Sequence, residues 1–89
     1  MAQHKQAEKR HRQSLVRRAR NQHFTSMMRT FVKKARAAIE SNPAAAAEAV
    51  QKAISVIDHV AQKGIIPRTR ASRVAGRLMK AHHKALGGE

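Results

Sequence analysis

Phe24-Thr-Ser-Met-Met-Arg-Thr-Phe-Val-Lys-Lys-Ala-Arg-Ala-Ala-Ile39 carries its apolar residues at Phe24, Met27, Met28, Phe31, Val32, Ala35, Ala38 and Ile39. Spacings of three and four are those of an amphipathic helix with one face in a core. The pattern predicts a first helix from near Gln6 to about Ile39. Ser41-Asn42-Pro43 follows and breaks it. Asn42 is suited to an N-cap, and Pro43 to the first position of a second helix. That helix has Ala46, Ala49, Val50, Ala53, Ile54, Ile57, Val60 and Ala61 on one stripe. Lys63-Gly64 signals its end, because glycine takes the left-handed conformation that closes a helix. After Ile65-Ile66, Pro67 is placed to open a third helix at its first position. Its inner stripe is Ala71, Val74, Leu78, Ala81 or His82, and Ala85, and Gly87-Gly88 ends it. No segment alternates as a strand does. The expected fold is all-α: a three-helix antiparallel bundle with a long, projecting basic N-terminal helix. Its Ala-rich core implies close packing and modest stability.

Toward the N-terminus the seam through Phe24, Met28, Phe31 and Ala35 continues onto Arg20, Arg17, Gln13 and Arg10, while Leu15, Val16 and Ala19 lie off it. The face that is apolar below Phe24 is cationic above it. The bundle should therefore end near Phe24 and the helix should run past it. One domain is expected over residues 1–89, with a basic arm at 1–23 and the bundle at 24–89. About 33 helical residues reach about 50 Å, against about 30 Å for a partner of about 20, so something like a third of the helix overhangs. Its arginines repel one another. Free in solution the overhang should fray, and phosphates should order it.

The chain has 89 residues, 19 Lys and Arg against 5 Asp and Glu, and a net charge of +14. Residues 1–36 hold eleven Lys and Arg against Glu8, residues 37–62 hold only Lys52 against Glu40, Glu48 and Asp58, and residues 63–89 hold seven against Glu89. Two basic blocks flank a slightly acidic middle that builds core. On the third helix Arg70, Arg73, Arg77, Lys80 and Lys84 fall within an arc of about 80°, away from Val74, Leu78 and Ala85. A merely solvated face would mix in acids at neighbouring turns, and this one has none. Eleven of the cations are Arg, whose planar fork matches phosphate oxygens two at a time.

The composition excludes much else. With no Cys, disulfide scaffolds, thiolate zinc sites and thiol catalysis are out. With no Trp or Tyr and two Phe, base-stacking platforms are not expected. No run is apolar enough to span a membrane or to serve as a secretory signal, so a cytoplasmic location is expected. Six histidines include no pair one helical turn apart, and His82-His83 point about 100° apart; no metal site is expected. Asp58 is the only Asp and has no second carboxylate near it, and there is no Gly-rich phosphate loop. No enzyme, cofactor or small-molecule substrate is expected.

His4-Lys5, Ala7, Lys9-Arg10, Arg12-Gln13-Ser14-Leu15 and Arg17-Arg18-Ala19-Arg20-Asn21 resemble the N-terminal helix of the bacterial small-subunit ribosomal protein twenty family. Met28-Arg29-Thr30 and Val32-Lys33-Lys34 resemble its continuation. Ile57-Asp58, Ala61, Lys63-Gly64-Ile65-Ile66, Arg68, Ala71, Arg73 and Arg77-Leu78 resemble its lysine-glycine-aliphatic turn and last helix. Gln6, Pro67, Thr69 and Val74-Ala75-Gly76 depart from it. The resemblance implies a 16S rRNA-binding constituent in the body of the small ribosomal subunit that touches several RNA helices through their phosphates.

The expected function is structural. Basic faces on the first and third helices neutralise phosphates of separate RNA segments and help organise them during assembly. The RNA-binding residues expected from the arm are Lys5, Lys9, Arg10, Arg12, Arg17, Arg18, Arg20 and Asn21. From the third helix they are Arg68, Arg70, Arg73 and Arg77, with Lys80 and Lys84. The alternative is a histone-like or other non-specific nucleic-acid binder. Such a protein needs a seam for a second copy, and none is left over; no homo-oligomer is expected. A membrane-surface helix explains one basic amphipathic segment but not two around a capped middle helix.

Overall fold

A computed structural model describes residues 2–87. It has three helices: α1 (Ala2–Ser41), α2 (Ala47–Gln62) and α3 (Arg68–Ala85), with a single 3₁₀ turn at Pro43–Ala45 between the first two. Among the described residues there is no strand. Short connections fold the helices back on one another. The molecule measures 66 × 21 × 13 Å, with a radius of gyration of 17.9 Å. A compact chain of this length would have about 12 Å, and the difference is the length of α1.

That length exceeds the expectation at both ends. With 40 residues, α1 reaches about 60 Å. No proline or glycine precedes Pro43, and Gln, Lys, Ala, Glu and Arg near the start are good helix formers. His4 Nε2 lies 3.1 Å from Glu8 Oε1, an exposed pair one turn apart that adds little. At the other end the Asn42 N–H still donates to the Ala38 carbonyl at 2.9 Å. Every residue from Gln3 to His23 is exposed, and Phe24 is the first to be partly covered. More than half of α1, rather than a third, therefore stands clear of the other helices.

The turn after α1 also differs from expectation. Asn42 is extended but makes no side-chain cap, and Pro43 opens the 3₁₀ turn rather than α2. The Ala46 N–H donates to the Pro43 carbonyl at 3.3 Å, and the Ala46 carbonyl then accepts from Val50 at 2.9 Å. Burying Ala46 requires this extra turn before α2 can start. At the far end Gly64 has φ +77°, as expected of a helix-closing glycine. Its N–H reaches the Ala61 carbonyl at 3.0 Å and the Ile65 N–H reaches Val60 at 3.3 Å, which together satisfy the orphan carbonyls of α2. Pro67, with ψ 148°, is not the first helical residue but caps the one that is. Its carbonyl accepts from Ala71 at 3.0 Å. Gly87 has φ +93° just past α3; Gly88 lies outside the described residues.

The core has two layers. Met28, Ile57, Val60, Ile66, Ala71 and Ala75 fill the one nearer the arm. Ala35, Ile39, Ala46, Val50, Ala53 and Leu78 fill the one nearer the Asn42 turn. The expected stripes of α1 and α2 are all buried or half-buried. On α3 Ala71 and Leu78 are buried and Val74 and His82 half-buried, as expected, but Ala75 is buried too and Ala81 and Ala85 are exposed, so the covered side is shifted by about 20°. His82 Nε2 lies 2.9 Å from the Pro43 carbonyl, tying the end of α3 to the turn.

Two glycines should respond oppositely to alanine. Gly64→Ala forces a Cβ into the left-handed region and costs about 1–2 kcal/mol. Gly76 lies in α3 with no atom within 4 Å of an added Cβ, so Gly76→Ala should gain about 1 kcal/mol. Thermal unfolding should show midpoints moved in opposite directions by about 4–8 °C per kcal/mol; a lower midpoint for Gly76→Ala would contradict this. The arm, exposed from Gln3 to His23, should open locally. Amide exchange should be fast over residues 6–20 and slow at Phe31, Ile54 and Leu78, and equal protection along all of α1 would refute the expectation.

Candidate nucleic-acid interface

Lys5, Lys9, Arg10, Arg12, Arg17, Arg18, Arg20 and Asn21 are all exposed on the overhanging part of α1. They are not confined to one stripe. Advancing about 100° per residue, they spread over about 240° of the circumference. A helix lying on a flat surface could use only part of such an array. A helix running between segments could use all of it.

On α3, Arg70, Arg73, Arg77, Lys80 and Lys84 are exposed, along the side away from Ala71, Ala75 and Leu78. Arg70 faces a groove floored by Met28, Val32 and Val74, and Arg29, Lys33 and Arg36 of α1 line its opposite wall. These three cations were not among the sequence-derived candidates. Their spacing of four and three along α1 places them on one side, but nothing in the sequence said which neighbour that side would meet. Arg29 also lines the adjoining surface with Arg17, Arg18, Asn21 and Gln22. The arm and the α3 stripe are thereby joined into one basic surface through the α1–α3 groove.

Arg68 stands apart. It lines the groove on the α2 side with Ser55, Asp58, His59, Gln62 and Ser72. Seven residues before Ala75 and about 20° from it around the helix, it shares the side of α3 that packs on α2.

Where the arm leaves the bundle, cations gather on Phe24. The Lys63 ammonium is 4.9 Å from the ring centroid, and the Arg20 guanidinium is 5.8 Å from it. His59 meets the same ring edge-on at 6.1 Å. The negative face of an aromatic ring attracts cations, so the ring fixes Arg20 at the junction while its N–H edges stay open to solvent.

Among the described residues, none of the 19 Lys and Arg has a carboxylate within the 4.0 Å of an ion pair; the sole pair is His4–Glu8. Surface cations of ordinary proteins are interspersed with acids. Here they repel one another with no ion pair to offset it among the described residues, and their chemistry suits anionic oxygen. Among the described residues no three His, Asp or Glu side chains gather as metal ligands, and no helix is long and apolar enough to cross a membrane.

The family model described as ribosomal protein S20 matches residues 2–83. The small ribosomal subunit protein bS20 of Sorangium cellulosum is 51% identical over 85 residues, which cover 96% of this chain and 90% of that protein. Its counterpart in Trichlorobacter lovleyi is 48% identical over 81 residues, or 90% of this chain and 93% of that protein. The one in Geobacter metallireducens is 49% identical with the same coverage. The match thus takes in the overhanging arm, the turn after α1 and nearly all of α3, and the chain belongs to the ribosomal protein S20 family.

Proposed function

We propose that this chain is a structural constituent of the small ribosomal subunit, cytoplasmic as part of the ribosome, that binds 16S rRNA directly and holds RNA segments side by side. It has no catalytic role, as befits a ribosomal protein family. The observation that carries the reading is the set of cations without carboxylate partners, spread around the arm and along α3 of one small body. Residues 1–23 act as the arm and residues 24–89 as the bundle that orients it. Lys5, Lys9, Arg10, Arg12, Arg17, Arg18, Arg20 and Asn21 contact phosphates around the arm. Arg70, Arg73, Arg77, Lys80 and Lys84 contact a second segment, with Arg29, Lys33 and Arg36 bridging the two. Arg68 serves a third direction, across α2.

Each phosphate neutralised releases condensed counterions, which gives affinity that falls steeply with salt. Selectivity comes from shape, because the A-form major groove is too narrow for side chains to enter. Two RNA segments repel each other, and a rigid body with cations on separate sides offsets that repulsion in one relative orientation. The test is a salt series of binding to 16S rRNA fragments and to duplex DNA of equal length. The expected result is a steep salt dependence on both and a clear preference for the rRNA at moderate salt. Equal affinity would favour a non-specific, histone-like binder instead.

A further inference from the structure

Leu15 and Val16 are 51% and 69% exposed on a segment that is otherwise basic. With Ala19, also exposed, they form an apolar patch about 100° wide on α1, on the side away from the seam that continues into the core. Helix formation does not call for Val16, since valine is a poorer helix former than the Lys, Arg and Gln around it. Among the described residues nothing covers them: every residue from Gln3 to His23 is exposed. Val16 shares a shallow groove with Arg12, Gln13 and Arg17. Glu8 is the only carboxylate before Glu40.

We infer that Leu15, Val16 and Ala19 form a contact surface for the ribose faces of duplex RNA in its shallow minor groove, with Arg12 and Arg17, which share the Val16 groove, reaching neighbouring phosphates. The inference rests on the rRNA-binding function proposed above. Charge complementarity selects the occupant: a partner must present a small apolar surface bordered by anions. The wide, shallow minor groove of A-form RNA displays sugars between two rows of phosphates. An apolar contact there adds affinity without neutralising charge.

The salt dependence separates this contact from the ionic ones. In the full chain, Leu15→Ala with Val16→Ala keeps or raises helix propensity, so weaker binding cannot be blamed on a lost helix. On 16S rRNA fragments the double variant should bind about tenfold more weakly, with the slope of log affinity against log salt unchanged. Arg12→Gln should weaken binding and also flatten the slope by about 0.7–0.9. Unchanged rRNA affinity of the double variant overturns the inference, and if incorporation into the small subunit then suffers, the patch faces a protein neighbour. A flattened slope for the double variant also overturns it, because the patch would then act through the cations. If the unaltered chain itself shows no preference for rRNA over DNA, it is the proposed function that fails, and with it the basis of this one.

Discussion

Ile57→Ala should bring the bundle close to its unfolding threshold. Ile57, Leu78 and Val60 are the largest fully buried side chains, and five of the twelve buried apolar residues are alanines. Around Ile57 lie Met28, Val60, Ile66, Ala71 and Ala75. Ala71 and Ala75 have no rotamer with which to fill a space, so relaxation into the cavity left by truncation falls to Met28, Val60 and Ile66. Buried Ile or Leu to Ala costs about 2–5 kcal/mol, more where the site collapses poorly. The bundle over residues 24–89 has only about 3–10 kcal/mol in total, at about 0.05–0.15 kcal/mol per residue. Leu78→Ala should do the same in the second layer, whereas Leu15→Ala should stay within about 0.5 kcal/mol of the parent. Urea unfolding followed by circular dichroism reads all three. A cost below about 1 kcal/mol at Ile57 would mean that the alanine-lined layer relaxes, against the argument from missing rotamers.

Neutralising the arm should have the opposite profile. Arg10, Arg12, Arg17 and Arg18 are exposed and, among the described residues, lack carboxylate partners, so changing all four to Gln removes no ion pair and relieves their mutual repulsion. The unfolding midpoint should not fall. Affinity for 16S rRNA fragments should fall by about 10²–10³ at moderate salt, and the salt slope should flatten by about 3, at about 0.7–0.9 per phosphate contact. Changing Arg29, Lys33 and Arg36 to Gln should flatten it by about 2 more, although none of these stood out before the helices were assembled. A full set of arm variants with unaltered slope would remove the arm from the interface.

The apolar stripes were legible because a helix repeats every 3.6 residues and its neighbours must cover one side of it. Every stripe residue expected on α1 and α2 is buried or half-buried, and Gly64 has the backbone conformation its position called for. The turn was legible only in part. Asn42 and Pro43 announce a break, but not that one 3₁₀ turn intervenes to bury Ala46. The start of α1 carried no stop signal, so apolar periodicity alone placed it too late. On α3 the difference turns on one small residue. Ala75 is as acceptable in a core as on a surface, and its burial brings Arg68, seven residues and about 20° from it, against α2.

By itself the sequence determined three amphipathic helices, two basic blocks with almost no acids among them, and a seam that turns from apolar to cationic at Phe24. All of these are properties of one helix at a time, set by residue type and a fixed angular step. Only the tertiary structure decided that Arg29, Lys33 and Arg36 face Arg70, that Arg68 faces α2, and that Leu15 and Val16 are left uncovered. The physical reason is that periodicity fixes which side chains share a face. Which faces meet is fixed by how bulky and small residues interlock between helices, and this chain settles that with alanines.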